Sequence, residues 1–479
     1  MEETDILFIA RKAVSGVLAL TTRTALIQVV SQIGNLLLAI LLSTEVFGIF
    51  FLVSAIAGFL NYFSDIGLAA ALVQKKGKVT QVELKTTFTI QQGLVLFLVI
   101  ISFLLSGQIQ QWIKLSPEGL LLFKVLLVSF FLSSLKTIPS VLLERDLNFN
   151  LFVIPQIVET LVFYITAVFL AWMGKGVYAL TAAIFLRGIT GLVTMYLIAP
   201  WKPGIAFDLK AARELMSFGL PFQLNSFLAL LKDDLFTLYL GSIFPLSYIG
   251  YIGWAKKQAE APLRLIMDNI IRVTFPAYSR LQHDPPMLGK AVEKAVFFLT
   301  LFTLPLTLEL IFAMKPFIHV IPRLLKWEPA MLSFYFFALA AMLSTISSPL
   351  VNVLNSIGKV KITLFFMIIW TVLTWALIPF LSHYFGYNAV AFGMFIIALS
   401  VIWVVAVAKR FIQFSILAPL QKPMLSAVPL LIFLLVVSLT VNQMFTRLIF
   451  TLIGGLLVWG MSAYIFTQAE IRLLIRKLR

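Results

Sequence analysis

The chain has 479 residues, of which 61% are hydrophobic and only 12% are charged. A soluble globular protein carries about twice this charged fraction, so the composition excludes a soluble protein and predicts an integral membrane protein. The chain has no cysteine, which excludes a disulfide scaffold and a thiolate metal site. The three histidines are scattered without metal-ligand spacing, and we expect no metal and no other cofactor. The net charge of +16 follows the loops between apolar stretches, so we interpret it as membrane topology and expect no nucleic-acid partner.

Apolar stretches of about 20 residues recur along the whole chain, and they predict about 14 transmembrane helices. The predicted spans, numbered 1 to 14, are 13–42, 46–73, 86–106, 119–142, 151–172, 177–199, 215–240, 246–275, 291–312, 331–353, 362–381, 388–408, 424–441 and 448–466. The loops between them are short, so none could fold as a soluble catalytic domain. Lys and Arg are roughly four times as frequent on one side of the predicted membrane as on the other, which places both termini in the cytoplasm.

A weak internal repeat predicts the domain organisation. The turn 42–48 before the body of span 2 and the turn 244–250 before span 8 each place an aromatic residue and a glycine just inside a long helix. This pattern predicts two pseudo-symmetric six-helix lobes, an arrangement common in secondary transporters. The N-lobe would be 1–200, the C-lobe 201–420, and 421–479 would hold spans 13 and 14 with a basic tail. The alternative is a chance similarity between two apolar hairpins.

Ionisable residues are concentrated inside spans 7 and 8. These residues are Lys232, Asp233 and Asp234 in span 7, and Lys256, Lys257, Glu260, Arg264 and Asp268 in span 8. Four of the span 8 residues follow one another at i,i+4 with alternating sign, so a helix places them on one face. Ionisable groups are costly inside a membrane and usually face a water-filled cavity, so the hairpin is predicted to line one. Antiparallel helices would bring Asp233 and Lys256 to similar depth, where we expect an ion pair.

Other polar residues within the spans are further candidates. Span 1 carries Arg23 beside a polar stripe that includes Gln28 and Asn35, and span 7 carries Asn225. Glu159 in span 5 and Arg187 in span 6 are predicted to pair. Lys124 and Lys136 lie near the ends of span 4, where snorkelling of the amines to the interface is expected. For all the intramembrane polar groups, hydrogen bonds and ion pairs that only hold the helices together remain the alternative.

Several short motifs carry a family resemblance through their order and spacing. They are 47–49 (FGI), 65–76 (DIGLAAALVQKK), 143–149 (LERDLNF), 174–180 (GKGVYAL), 218–221 (FGLP) and 272–282 (RVTFPAYSRLQ). With these motifs the chain resembles, over about residues 6 to 420, the polysaccharide-flippase branch of the multidrug/oligosaccharidyl-lipid/polysaccharide exporter superfamily. The resemblance implies two six-helix lobes around a cavity that opens alternately to either side of the bacterial inner membrane. It also implies transport of a polyprenyl-diphosphate-linked oligosaccharide, without catalysis, for cell-surface polysaccharide biosynthesis.

A diphosphate substrate would need basic and polar partners in the cavity. The candidates for substrate binding are Arg23, Gln28, Asn35, Asn225, Lys232, Lys256, Lys257 and Arg264. The candidates for ion coupling or internal ion pairs are Asp233, Asp234, Glu260, Asp268, Glu159 and Arg187. We expect a monomer that contacts membrane lipid, with a polysaccharide polymerase and export machinery as candidate partners.

Two other functions compete with this interpretation. A multidrug antiporter of the same superfamily would share the fold but should have a net acidic cavity, whereas the candidate residues are at least as basic as acidic. A membrane-embedded glycosyltransferase or polymerase would need carboxylates beside a sizeable outer loop. The predicted outer loop 315–329 is short and has Glu328 as its one carboxylate.

Overall fold

The computed structural model of the chain describes residues 26–65, 67–75, 79–146 and 148–478. In these residues the regular structure is helical and contains no strand. Ten helices of the described part are long and apolar enough to cross a membrane. Helices satisfy every internal backbone hydrogen bond within one segment, which lipid requires of a spanning structure. The predicted class, an all-α polytopic membrane protein, is therefore confirmed, while the number of 14 spans stays a prediction.

The helices are labelled in chain order. They are α1 (Leu26–Leu41), α2 (Thr44–Asp65), α3 (Leu68–Gln74), α4 (Gln81–Leu104), α5 (Ser106–Trp112), α6 (Pro117–Leu135), α7 (Thr137–Arg145), α8 (Phe149–Trp172), α9 (Val177–Ile198), α10 (Leu209–Leu230), α11 (Phe236–Ile243), α12 (Leu246–Leu281), α13 (Pro285–Val320), α14 (Met331–Ser356), α15 (Val360–Phe385), α16 (Ala389–Ala398), α17 (Val401–Ala408), α18 (Leu417–Thr440), α19 (Met444–Ile449) and α20 (Gly455–Leu478). Two π-helical turns, Leu231–Leu235 and Phe450–Gly454, join α10 to α11 and α19 to α20.

The chain divides into two compact units, and the boundary follows Gly250, one turn into α12. In the first unit, α9 packs against α6 and α8, and α2 packs against α4, α6 and the π-helical turn. In the second unit, α13 packs against α14, α18 and α19, and α14 also packs against α16. The lobe boundaries predicted after residues 200 and 420 rest on the internal repeat and stay a prediction.

The short helix α3 is held at both ends by residues of the family motifs. Gly67 precedes α3 with φ of 75°, a left-handed conformation that favours glycine. At the other end, the Arg145 guanidinium donates to the backbone carbonyls of Leu72, Val73 and Lys75. A cation at a helix C-terminus satisfies carbonyls that have no partner inside the helix. The motifs 65–76 and 143–149 therefore meet in the structure at the C-terminal end of α3.

Lys75, directly after α3, bridges to two carboxylates. Its Nζ contacts Glu83 Oε1 and lies 3.0 Å from Glu214 Oε1. The hydrogen bonds to Glu83 and Glu214 raise the pKa of Lys75 above its ordinary value, because they favour the charged amine. Glu83 also closes a capping box, since its Oε2 accepts from Thr80 N at 2.9 Å. The segment between α3 and α4 is thus fixed by charge at its two ends.

The glycines of the predicted repeat touch one another. A Cβ added at Gly48 in α2 would collide with the carbonyl oxygen of Leu246, and one at Gly250 in α12 would collide with that of Thr44. The two contacts are reciprocal, because Gly48 is four residues after Thr44 and Gly250 four residues after Leu246. Glycine lets two helix backbones approach this closely in a membrane. The glycines therefore mark a close helix crossing between the first turns of α2 and α12.

The second unit has a core beside the start of α13 that corrects one expectation. The sequence 276–290, with Asp284 before two prolines, is compatible with a short amphipathic or irregular connector, whereas in the structure α12 continues to Leu281 and α13 begins at Pro285. Asp284 accepts from Met287 N at 3.0 Å as the N-cap, and proline suits the first helical position. Tyr278 and Leu288, on either side of the turn, are both buried in the same apolar cluster. The connector is thus three residues long, because burial extends both helices towards each other.

Candidate functional site

The charged triad of span 7 lies on a π-helical turn. Lys232, Asp233 and Asp234 all fall within Leu231–Leu235, between α10 and α11. A π-helical turn adds a residue to the helix, shifts the faces of the residues that follow, and often occurs at functional sites. Lys232 Nζ lies 3.9 Å from Asp233 Oδ2, and the Asp233 side chain is 46% exposed. An ionised, half-exposed carboxylate inside a long helix requires water or a polar ligand beside it.

Asp234 faces a different neighbour from the other two charges. A Cβ added at Gly58 of α2 would lie 2.6 Å from Asp234 Oδ2. Any larger residue at position 58 would therefore displace the carboxylate or the helix. Gly58 was not predicted as a site residue, because in the sequence it is one glycine inside an apolar helix.

The basic residues of α12 lie beside its buried face. Ala255, Ala259 and Leu263 form the buried face at i,i+4 spacing, whereas Lys257 and Arg264 are exposed. The Arg264 guanidinium donates twice to Glu260 Oε2, from Nε at 3.0 Å and from Nη2 at 2.7 Å. One step of the predicted i,i+4 series is therefore an ion pair. Arg264 is still 65% exposed, so its guanidinium can also reach a ligand.

The ion pair expected between Asp233 and Lys256 stays a prediction; Asp233 does lie near the amine of Lys232, its neighbour in the π-helical turn. The side chains of Asn225 and Asp268 lie outside the described part of the structure, and so does the whole of Arg23.

Glu159 of α8 lies between two cations. Its Oε1 accepts from Lys136 Nζ, at the junction of α6 and α7, and its Oε2 lies 3.6 Å from Arg187 Nε of α9. Glu159 is buried, and a Cβ added at Gly191 would collide with its Oε1, so Gly191 allows the carboxylate to lie against α9. Arg187 is 52% exposed, and its guanidinium carbon also lies 5.9 Å from the centre of the Phe163 ring. The cluster has two cations for one carboxylate, and Arg187 is its open side.

The expectation for Lys136 is thereby corrected. Lys136 was expected to extend along lipid towards the interface, but its amine turns inward to Glu159. A buried carboxylate provides a stronger partner than the distant interface, because attraction between opposite charges grows as the surroundings become less polar. Hydropathy along the sequence could not reveal this contact, since the two residues lie 23 positions apart.

The polar stripe of span 1 is in part a helix-packing contact. Asn35 is buried, and its Nδ2 donates to Tyr164 Oη at 3.0 Å and to Ser31 O at 2.5 Å. The neighbouring Gly34 lies against the Tyr164 ring, so α1 and α8 meet closely here. For Asn35 the structure therefore supports the alternative of interhelical hydrogen bonding over substrate contact. Gln28, two turns earlier, is half-buried.

Comparison with known proteins finds similarity to proteins of polysaccharide biosynthesis. A family profile described as "Polysaccharide biosynthesis protein" matches residues 37–332, more than half of the chain. The lipopolysaccharide biosynthesis protein WzxC of Escherichia coli is 23% identical over 364 residues, which are 76% of this chain and 73% of that protein.

Solved structures with the same fold are transporters. The lipid II flippase MurJ, in its inward closed conformation, matches with a TM-score of 0.74 at 18% identity, over 94% of this chain and 99% of that one. A multidrug resistance MATE transporter, inward-facing, matches with a TM-score of 0.59 at 14% identity, over 80% of this chain and 95% of the other. At these identities the likeness shows a common fold.

Proposed function

This chain belongs to the polysaccharide biosynthesis protein family, and on that basis we propose that it is a flippase for a polyprenyl-diphosphate-linked oligosaccharide. It moves this molecule from the inner to the outer leaflet of the bacterial cytoplasmic membrane for the assembly of a cell-surface polysaccharide. It transports and does not catalyse. The relative WzxC is named for lipopolysaccharide biosynthesis, and the fold matches that of a protein named as a lipid II flippase.

The observation that carries the proposal is the exposure of basic side chains halfway along the helices. Arg187 is the eleventh of 22 residues of α9, and Arg264 is the nineteenth of 36 residues of α12. Both remain more than half exposed although each touches a carboxylate. Placing such charges against hydrocarbon would cost several kcal/mol each, so they face water or an anionic ligand. A diphosphate is such a ligand, and the planar guanidinium binds two phosphate oxygens at once.

The cost of placing charged and polar groups in hydrocarbon also determines where the diphosphate, the sugars and the polyprenyl tail lie. A diphosphate cannot cross about 30 Å of hydrocarbon without partners, because an isolated charge there costs tens of kcal/mol in the idealised limit. Lys257 and Arg264, with Arg23 and Lys256, provide the counter-charge while the protein alternates between its inward and outward openings. The sugars stay in the wet cavity, and the polyprenyl tail remains in lipid. The polar side chains of Gln28, Asn225 and Lys232 are the further candidates for contact with this substrate.

A multidrug antiporter is the competing function, since the MATE likeness extends over most of the chain. That class carries amphipathic cations, which a cluster of exposed arginine and lysine side chains would repel. The balance of charge at Arg187, Lys257 and Arg264 therefore favours an anionic substrate.

The orientation, oligomeric state and partners of the protein are also part of what we propose. We place both termini in the cytoplasm and expect a monomer in the inner membrane, with a polysaccharide polymerase and export machinery as partners. The charge asymmetry of the loops supports the orientation.

Deletion of the gene in its source bacterium provides the decisive test. Lipid-linked repeat units should accumulate at the inner leaflet, and purified protein in liposomes should move a fluorescent polyprenyl-diphosphate oligosaccharide between leaflets. A deletion strain that exports normal polysaccharide while losing resistance to cationic drugs would identify the antiporter instead.

A further inference from the structure

Glu309, in the second half of α13, is a buried carboxyl that the proposed transport does not use. Its side chain is 7% exposed, and its Oε1 has no hydrogen-bond partner among the described residues. This environment differs from that of Glu159, which is equally buried but lies between Lys136 and Arg187. Among the described residues two glutamates are buried: Glu159 contacts two cations, whereas Glu309 has no described cation and its Oε1 accepts no described hydrogen bond.

Charged and titratable groups lie on the elements packed around α13, but none of those described pairs with Glu309. These groups are Lys290, Glu293, Lys294, Lys315 and His319 on α13 itself, Arg323, Lys326 and Glu328 in the turn after it, Tyr335 on α14, Lys422 on α18, Arg447 on α19 and Tyr464 on α20. His319 pairs with Glu328 at 3.5 Å. An ionised carboxylate left alone in a dry site is strongly unfavourable, and such a group takes a proton instead.

The helix α20 lies against Glu309 at Gly455, directly after a π-helical turn. A Cβ added at Gly455, the first residue of α20, would lie 3.0 Å from Glu309 Oε1, and one at Gly454 would lie 2.5 Å from Phe433 Cζ of α18. The two glycines therefore let α20 press against α13 on one side and against α18 on the other. The π-helical turn Phe450–Gly454 ends at this contact, and such turns are local departures from ideal helix that often occur where function requires them.

We propose that Glu309 is a proton-binding site between α13 and α20, and that its ionisation loosens the packing of the C-terminal helices α18 to α20 on α13. With the proton bound, the neutral acid fits the dry contact against Gly455. When the proton leaves, the carboxylate requires water, and water can reach it only if α20 moves away from α13. The ligand is thus a proton, and the moving elements are the C-terminal helices α18 to α20.

A metal cation is the other ligand that a carboxylate could take. Sodium and calcium ions require several oxygen ligands around them. The described residues contain no group of three or more acidic or histidine side chains placed to hold a metal. The geometry at Glu309 therefore favours a proton.

Labelling by a hydrophobic carbodiimide tests the site in the unaltered protein, because this reagent modifies protonated carboxyls in apolar surroundings. We expect mass spectrometry of the purified protein to find the label on Glu309 and not on Glu159, whose carboxylate oxygens contact Lys136 and Arg187. Labelling should fall several-fold between about pH 6 and pH 9 as the proton is lost. Absence of label on Glu309 at the lower pH, or equal labelling of both residues at every pH, would overturn the proposal. Protection by sodium chloride, with no dependence on pH, would assign a metal cation and overturn it as well.

A single cysteine tests the coupling to α20. The chain has no cysteine of its own, so Thr451→Cys provides one buried thiol in the π-helical turn, one turn before Gly455. We expect its modification by a membrane-permeant maleimide, corrected for the reactivity of a free thiol at each pH, to rise several-fold from low to high pH. The same cysteine combined with Glu309→Gln should keep the low-pH reactivity throughout, because the amide cannot ionise. An unchanged pH response in the Gln variant would overturn the coupling.

Neither measurement involves the transported substrate. A negative result at Glu309 would therefore leave the proposed flippase function untouched, and a failed transport assay would leave the proton site standing.

Discussion

The carboxylates within the helices of this protein differ in the number of cations that contact them. Glu159 is bound by Lys136 and Arg187, Glu260 by Arg264, and Glu309 by no described cation. Each of the first two carboxylates leaves an exposed arginine beside it, at Arg187 and Arg264. Because a neighbouring carboxylate holds each guanidinium without covering it, the arginines can offer their remaining donors to an anion.

Removal of the Glu159 charge should destabilise the first unit. Glu159→Gln leaves the partly buried Lys136 amine without its counter-charge, and we expect a loss in unfolding free energy below the roughly 3–5 kcal/mol of a fully buried pair, because Lys136 is partly exposed and Arg187 half-exposed. The measurement is thermal or denaturant unfolding in detergent. The double variant Glu159→Gln with Lys136→Met should recover part of the loss, whereas Glu45→Gln at an exposed position should cost less than about 1 kcal/mol. Equal effects of Glu159→Gln and Glu45→Gln would contradict the ion cluster.

Neutralisation of the exposed cations should stop transport without unfolding the protein. Arg264→Gln and Lys257→Gln should each lower flipping in liposomes by roughly 10–100-fold, the equivalent of one charge-assisted hydrogen bond. Arg264→Lys should recover part of the rate, since the charge returns without the bidentate fork. Lys124→Gln in α6 provides the matched control and should remain close to the wild-type rate. If Arg264→Gln and Lys257→Gln, expressed at normal levels, both transport normally, then the anion binds elsewhere.

At the scale of helices, two glycine turns share one unusual backbone conformation. Gly176 before α9 has φ 53° and ψ −125°, and Gly386 before the helix α16 has φ 56° and ψ −139°. Tyr178 and Tyr387 lie close after them, and in both places the space around the glycine is open. The same unusual backbone at the entry to spans 6 and 12 supports the predicted repeat of six-helix lobes. The crossing of α2 and α12 at Gly48 and Gly250 supports it independently.

These two turns should respond alike to substitution. Gly176→Ala and Gly386→Ala should each destabilise by roughly 1–3 kcal/mol, because a Cβ strains a backbone with positive φ even in open space. Gly93 within α4 also has open space around it but has an ordinary helical backbone, so Gly93→Ala should stabilise by about 0.5–1 kcal/mol. Unfolding in detergent measures the three variants side by side. The repeat loses this support if Gly176→Ala and Gly386→Ala differ in sign.

At the scale of the whole molecule, ionisable residues separate two kinds of helix. The ten most apolar helices serve as spans by composition, whereas α10 and α12 carry charges that keep them out of this set. Their charges fall on the π-helical turn Leu231–Leu235 and on the exposed face of α12. The apolar helices hold fewer ionisable residues in their most apolar stretches, among them Arg187 of α9 and Glu309 of α13.

The orientation in the membrane can be tested with reporters. Fusions at Gly77 and at Arg479 should both report the cytoplasm, because Lys and Arg are concentrated in the loops on that side. A fusion in the loop after α8, near Lys175, should report the outside and serves as the control. An external reporter at either Gly77 or Arg479 would reverse or break the proposed topology.

The sequence by itself determined the membrane class, the helical structure and the family. Apolar runs of spanning length leave the helix as the main solution in lipid, and the short motifs keep their order whatever the tertiary packing is. The positions of the charged residues were also readable, because a charge stands out against an apolar span.

Only the tertiary structure decided what those charges do. It placed Lys136 on Glu159 and bonded Asn35 to Tyr164, in each case joining residues far apart in the chain. It also placed the triad of span 7 on a π-helical turn and left Glu309 without a described partner. Whether a charge is paired, exposed or protonated depends on which helix lies against it. Hydropathy reports that a residue lies inside a span, but the face and the neighbour are set by packing between helices.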